Sequence, residues 1–330
     1  MDNLRTAVIG ITSNGVNIAK KIQNSMNVDL FFPTAYKDQV NANFFDNIKT
    51  ILDIIFKKYD CIIFIMAVGA TIRLINPHIK NKFIDPRIVV IDDASKFTIS
   101  LLSGHRGAND ITLKISKILG NQPVITTASD LNNIISPEYI AYRYNMKIIN
   151  KKLLTKISAE ILKKGGAQII NKTSLKIKEE NLNEDNFPKI LITFTKEKHE
   201  GVLYMIPKIL VVGIGFSTSA TYDQMKKCIS YVFNKYRLYI YAIQTIATID
   251  IKRGNIDIKK LSRHYNAGLE FYSKEQLNEY SMDRSDEVYK YTGAYSVANA
   301  AARLASKNGK YIVKKEKFKD VVISVFEYEK

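Results

Sequence analysis

Tryptophan is absent from this chain of 330 residues, and cysteine, histidine and proline are scarce at two, four and seven copies. Cys61 lies in an apolar run and Cys228 in a helical stretch, far apart and without metal-ligand spacing, so both read as buried thiols. His78, His105, His199 and His264 form no pair at helical or turn spacing, and no metal site built from side chains is expected. No apolar run approaches the roughly 18–20 residues of a membrane span. The opening MDNLRTAVIGIT has no charged leader, apolar core or small-residue cleavage site, so a cytoplasmic location without membrane association is expected. Acidic residues are also few: 32 Asp and Glu against 49 Lys and Arg leave a net charge of +17. The lysine excess accompanies isoleucine, asparagine and tyrosine, as coding bias produces, and no arginine cluster or nucleic-acid motif goes with it. No nucleic-acid partner is expected; a small polycarboxylate would be drawn by the same field.

The length exceeds the ~250–300 residues at which a single core usually splits, and a hydrophobic fraction of 46% suits ordinary globular domains. Over residues 1–134, predicted strands at 7–11, 29–32, 61–66, 87–91, 97–101 and 124–126 alternate with helices at 14–25, 44–59, 70–75 and 108–119. That alternation predicts a mostly parallel sheet covered on both faces, with ligands beyond the strands' carboxyl ends. Residues 10–12, 67–70, 92–95 and 126–129 all follow strands and are expected on one rim. Residues 135–207 read as a small basic middle domain: a lysine-rich helix at 151–164, short strands at 167–170, 190–194 and 202–206, and an exposed loop at 178–186. From 208 to 330 a second alternating unit follows, with strands at 209–214, 239–248, 269–272, 311–314 and 321–326 and helices at 221–235, 256–265, 274–280 and 296–307. The predicted fold is α/β, two three-layer α/β/α domains joined by a small α+β middle domain.

The densest chemistry lies in SLLSGHRGAN (100–109). His105 brings an imidazole, a side chain able to take or give a proton, and Arg106, Gly107 and Ala108 lead into a helix whose first N–H groups would face an anion. A histidine merely capping that helix is the plainer reading. Asp92 and Asp93 follow the strand IVVI and either form a turn or orient a nearby base. Arg73, in AVGATIRLINP, shares a helix with an N-terminus that would meet the same carboxylate, unless it is a surface arginine. In VVGIGFSTSAT, Gly213 and Gly215 form a lone G-x-G without the third glycine or the ribose-binding acid, so no nucleotide is implied. Thr248, Asp250 and Lys252 alternate along ATIDIKRG, as a substrate edge or a solvent face would. No G-x-S-x-G accompanies Ser103, which argues against a serine hydrolase.

Taken together, MAVGATIRLINP (66–77), DPRIVVID (85–92), SLLSGHRGAN (100–109), PVITTASD (123–130), VVGIG (211–215), ATID (247–250) and SVANAAA (296–302) resemble the cobalamin biosynthesis protein G family, the cobalt-precorrin-5A hydrolases of anaerobic corrin synthesis. The resemblance spans nearly the whole chain. It implies an enzyme that opens the δ-lactone of cobalt-precorrin-5A and releases the two-carbon fragment at C20 as acetaldehyde, giving cobalt-precorrin-5B. The implied catalytic residues are His105, as base, and Asp92; N–H groups of the histidine loop would hold the oxyanion. The implied substrate-binding residues are Arg73, Ser103, Gly104, Arg106, Gly107, Asn109, Thr126, Thr127, Gly213, Gly215, Thr248 and Asp250. Cobalt arrives in the corrinoid substrate and the macrocycle takes up the electrons, so no cofactor is expected. Partners would be that substrate, neighbouring corrin-pathway enzymes and a second subunit in a homodimer. Three departures stand out: a single glycine, Gly107, before Ala-Asn, the non-basic Phe216, Ser217 and Thr218 after VGIG, and Asn299 at a usually acidic position. They leave open a non-catalytic carrier of corrinoid intermediates.

Overall fold

The computed structural model describes residues 4–82, 84–127, 134, 136–178, 187–280 and 284–329. The chain divides into two compact units, Met1–Arg143 and Tyr144–Lys330.

The first unit holds strands β1 (Thr6–Gly10), β2 (Asp29–Pro33), β3 (Asn43–Phe45), β4 (Cys61–Ile65), β5 (Arg87–Ile91), β6 (Phe97–Leu102) and β7 (Gln122–Val124) in one sheet, ordered β3-β2-β1-β4-β5-β6-β7. Helices α1 (Ser13–Gln23), α2 (Ile48–Lys58), α3 (Val68–Ile75), α4 (Ala108–Leu119) and α5 (Pro137–Arg143) accompany it. The central strands CIIFI and RIVVI are buried along their whole length because successive residues serve opposite layers. Ile63, Ile65, Val89 and Ile91 pack with Val16 and Ile22 of α1 and Ile111 and Ile115 of α4. Ile62, Phe64, Ile88 and Val90 pack with Leu52 and Ile55 of α2 and Ile75 of α3. Where the sequence suggested a helix from residue 44, β3 comes first, and α2 starts only after Asn47, whose side chain accepts from Lys49 N.

Strands β1 to β5 run parallel, but β6 is antiparallel to β5 and β7 parallel to β6. The cause is the connection of residues 92–96, too short for a crossover, which needs a dozen residues or more. It closes as a hairpin through Ser95 N to Asp92 O at 2.9 Å and Gln122 N to Lys96 O at 3.0 Å continues the sheet toward β7. The rim expected from the sequence is thereby split. Residues 10–12, 67–70 and 92–95 lie at one edge of the sheet and residues 126–127 at the other; 128 and 129 are outside the described residues.

The second unit carries two sheets. Strands β8 (Met146–Ile148), β9 (Gln168–Asn171), β10 (Lys189–Ile192) and β11 (Val202–Pro207) are ordered β8-β11-β10-β9, with α6 (Lys151–Lys164) beside them. Strands β12 (Leu210–Phe216), β13 (Ile243–Ile249), β14 (Gly268–Tyr272), β15 (Tyr311–Lys317) and β16 (Val321–Glu327) are ordered β14-β13-β12-β16-β15. On one face of this sheet, α7 (Tyr222–Lys235) and α8 (Ile256–Tyr265) bury Met225, Ile229, Phe233 and Leu261 against Val212 and Ile214, in a core that also takes in Leu191 and Ile206 of the smaller sheet and Phe194 just beyond β10. On the other face, α9 (Lys274–Glu279) and the alanine-rich α11 (Ala298–Ala305) cover Val211, Ala247 and Ile249; α10 (Asp286–Thr292) precedes α11. Among the described residues no helix is long and apolar enough to cross a membrane.

Candidate functional site

Strand β6 ends at Ser103, which takes a left-handed backbone (φ 63°, ψ 36°) and turns the chain into a short 3-10 turn, Gly104–Arg106. Such a conformation costs an L-residue about 1–2 kcal/mol, so the surroundings must hold it. Ser103 Oγ donates to Asp85 O at 3.3 Å, and Arg106 N returns to Ser103 O at 2.9 Å. Arg87, buried at the start of β5, donates through Nε to Arg106 O at 2.5 Å and through Nη1 to Asp60 O at 3.1 Å. Its guanidinium lies 4.7 Å from the centre of the Tyr142 ring on α5. The Arg106 side chain reaches back to Asp85 O at 2.9 Å, and burial, with the Arg87 charge beside it, lowers its pKa from the ordinary arginine value. Gly107 (φ 98°) ends the turn directly under Tyr142: a Cβ here would stand 2.3 Å from the ring, so only glycine fits. One glycine before Ala-Asn therefore suffices to carry this turn, and Arg106 is accommodated by backbone carbonyls.

His105 projects from the turn half-buried, with Nδ1 3.2 Å from Ser136 Oγ. Asn109, on the first turn of α4, is buried and donates through Nδ2 to Thr127 Oγ1 at 2.9 Å. Its Oδ1 is buried with no hydrogen-bond partner among the described residues and faces Gly104, where a Cβ would approach it to 2.8 Å. The structure thus gathers Ser103, Gly104, His105, Arg106, Gly107, Asn109 and Thr127 at one edge, with Thr126 exposed beside them. One expected feature is different. The N–H groups of Arg106, Gly107 and Ala108, read as oxyanion donors, are engaged within the turn by Ser103 O, Gly104 O and Ser103 O at 2.9, 3.0 and 3.3 Å.

Asp92 and Arg73 stand at the opposite edge, because β6 runs back along β5. Asp92 is a hairpin residue: its Oδ1 accepts Phe97 N at 2.5 Å. Asp93 accepts from Thr12 Oγ1 and, at 3.1 Å, from Asn14 Nδ2 at the start of α1. Neither carboxylate orients His105. Arg73 folds back along its own helix, Nη1 donating to Gly69 O at 3.2 Å, so its guanidinium does lie at the N-terminal turn of α3. In the second unit, Gly213 serves packing: a Cβ there would stand 1.8 Å from Ala298 O of α11. Gly215 has ordinary room, its nearest neighbour at 3.5 Å. Thr248 is buried and donates to Ile214 O at 2.6 Å, while Asp250 begins a 3-10 turn, Asp250–Lys252, so the alternation read for residues 248–252 stops at Ile249. Asn299 is buried and donates to the Tyr311 hydroxyl. Among the described residues no three His, Cys, Asp or Glu side chains are grouped to hold a metal ion.

Ser136 is the residue that sequence reasoning missed. Its signal was a serine ahead of Pro137, a helix start with proline at the first position. Nothing in the spacing says that this helix would meet a histidine 31 residues earlier.

Two family models, described as Cobalamin synthesis G N-terminal and Cobalamin synthesis G C-terminus, match residues 50–130 and 210–326, together more than half of the chain. A protein of Priestia megaterium named cobalt-precorrin-5A hydrolase is 29% identical over 97% of this chain and 94% of its own length. One of the same name from Salmonella typhimurium is 25% identical over 91% of each chain. A crystal structure from Sulfolobus solfataricus, described as a cobalamin biosynthesis protein G homolog, is 25% identical, covers 99% of both chains and aligns with a TM-score of 0.42.

Proposed function

Because this chain belongs to the cobalamin synthesis G family, we propose that it is a cobalt-precorrin-5A hydrolase, opening the δ-lactone of its substrate and releasing acetaldehyde to leave cobalt-precorrin-5B. The observation that carries this reading is the end-to-end likeness to relatives named for that activity. Lactone opening adds water to the acyl carbon, breaks the ring C–O bond and leaves a carboxylate and a hydroxyl, with one proton released to solvent. Negative charge collects meanwhile on the acyl oxygen, which needs fixed donors. Deprotonation of the C20 hydroxyl then lets the two-carbon carbonyl fragment depart, its bonding electrons passing into the macrocycle around cobalt. No cofactor beyond the substrate's own metal is required by that sequence.

We place the reacting lactone at the turn after β6. His105 is the side chain there whose ring nitrogens can both donate and accept hydrogen bonds. Asn109 N–H, on the first turn of α4, adds a donor aligned with the helix dipole. Arg106 and the many lysines suit the acetate and propionate groups of a corrinoid. Arg73 and Asp92, at the other sheet edge, take no part in bond breaking. The test is turnover of cobalt-precorrin-5A by the wild-type protein and by His105→Ala, with product identified by mass. Loss of turnover in a variant that keeps the wild-type circular dichroism and melting curve is expected. Retention of most of the activity would remove His105 from the reaction.

A further inference from the structure

Two guanidinium groups meet at the histidine turn with little negative charge to balance them. Arg87 is nine-tenths buried, and its contacts are to neutral groups: Arg106 O at 2.5 Å, Asp60 O at 3.1 Å and the Tyr142 ring, 4.7 Å from its centre. Arg106, half-buried, uses Nη1 on two carbonyls, Asp85 O at 2.9 Å and Lys82 O at 3.4 Å. Its Nε and Nη2 have no partner among the described residues. The acids on the same elements are engaged: Asp60 pairs with Arg5 at 3.4 Å, Glu138 with Lys82 at 3.0 Å, and Asp110 accepts the Tyr139 hydroxyl at 3.2 Å. Buried Asp85 accepts Lys80 N at 2.9 Å, and its pull on Arg106 is smaller than the push from Arg87. Burying charge without a counter-ion is costly, and an arriving anion relieves that cost. The N-terminal end of α4, which starts at Ala108, adds a positive dipole at the same place.

The chemistry placed at this turn says which anion that is. Arg106 is the next residue after His105 in a turn of three, so its guanidinium stands within reach of the acyl group that reacts there. Before opening, that group is a neutral ester. Once water has added and the ring C–O bond has broken, it is a carboxylate, with one proton released to solvent. A carboxylate that the substrate already carries would be held equally before and after; this one is held only as it forms, which favours the transition state over the ground state. We propose that Arg106 is a catalytic residue that takes the carboxylate created by lactone opening on its Nε and Nη2 edge, and that Arg87 is a positioning residue that holds Arg106 there. The edge of a planar guanidinium matches two carboxylate oxygens, and both arginines keep their protons throughout.

This inference rests on the hydrolase reading for its reaction but not for its binding measurement. Cobalt-precorrin-5B carries the freed carboxylate and is not consumed, so equilibrium dialysis reads its affinity directly, beside steady-state turnover of cobalt-precorrin-5A. Arg106→Gln keeps a donor for Asp85 O and loses the charge. It is expected to weaken product binding about tenfold or more, the scale of a charge-assisted hydrogen bond, and to lower kcat by roughly 10²-fold with KM for the lactone little changed. Arg87→Lys keeps the charge but loses the planar fork that spans two carbonyls, and should move both readings the same way by less. A rise in KM for the lactone that matches the loss of product affinity, with kcat kept, would mean that Arg106 holds a carboxylate present throughout, and overturns the proposal. Unchanged product affinity in Arg106→Gln overturns it too, and wild-type product affinity in Arg87→Lys overturns the part given to Arg87. If the wild-type protein turns over no cobalt-precorrin-5A, the lactone is dialysed as well. A preference for the ring-opened corrinoid that vanishes in Arg106→Gln then bears out the carboxylate site and overturns the hydrolase reading alone; no preference overturns both.

Discussion

Replacing Asp92 by alanine separates the two edges of the first sheet. The carboxylate accepts Phe97 N at 2.5 Å in the hairpin, while Arg87, at the far end of β5, touches the histidine turn through Arg106 O at 2.5 Å. Five residue steps lie between Asp92 and Arg87, and at ~3.3 Å each they span about 16 Å. Over that distance two unit charges interact by about 0.3 kcal/mol at the dielectric of water and about 1 kcal/mol at an effective value of 20. Salt reduces this further, since a Debye length is only about 8 Å at physiological ionic strength. Asp92→Ala should therefore change kcat for cobalt-precorrin-5A by less than about fivefold. Its cost belongs to the hairpin, roughly 0.5–1.5 kcal/mol of stability for one hydrogen bond. Steady-state kinetics beside urea denaturation reads both. A fall in kcat of about a hundredfold or more with stability unchanged would place Asp92 at the reacting centre and refute the separation of edges argued from β6.

Gly213→Ala should destabilise the second unit by about 3 kcal/mol, the upper end of what overpacking costs, because its Cβ would meet Ala298 O at 1.8 Å; Gly215→Ala, with 3.5 Å of room, should cost under about 1 kcal/mol. Equal losses in denaturation would show that α11 does not press on β12 as described. Glu197 is held at about 2, below its ordinary 4.5, chiefly by the hydrogen bond from Lys172 at 2.6 Å, with His199 and Thr195 assisting against partial burial. A depressed carboxyl contributes stability above its unfolded value and loses it as the pH falls through the folded one. The stability gap between wild type and Glu197→Gln should thus hold steady above pH 4.5 and close as the pH falls toward 2; a gap that widens in acid would contradict the assignment.

Much of the architecture was legible because strand cores such as CIIFI and IVVI are apolar throughout and bounded by helical patterns, the mark of strands buried on both faces. The histidine turn was legible for a different reason. Glycines around a titratable residue, between a strand and a helix, leave few alternatives to a tight turn. The direction of β6 was misread although the information was present: a link of residues 92–96 admits a hairpin and no crossover. That one reversal moved Asp92 and Arg73 away from His105. Gly213 and Thr248 were expected at the substrate only through the family resemblance; in the structure Gly213 makes room for α11 and Thr248 donates to Ile214 O, packing roles that motif residues do not announce. The Ser136 contact depends on where α5 docks, and docking follows from Tyr142 closing over Gly107 and Arg87, a three-way contact among residues far apart in the sequence.

The most direct measurement is acetaldehyde released when the purified protein is mixed with cobalt-precorrin-5A under anaerobic conditions, against a control without protein. Acetaldehyde formed in proportion to substrate consumed, and only with protein present, is the predicted result. Tight binding of the corrinoid with no acetaldehyde above the control would contradict the hydrolase assignment and leave a carrier of the intermediate in its place.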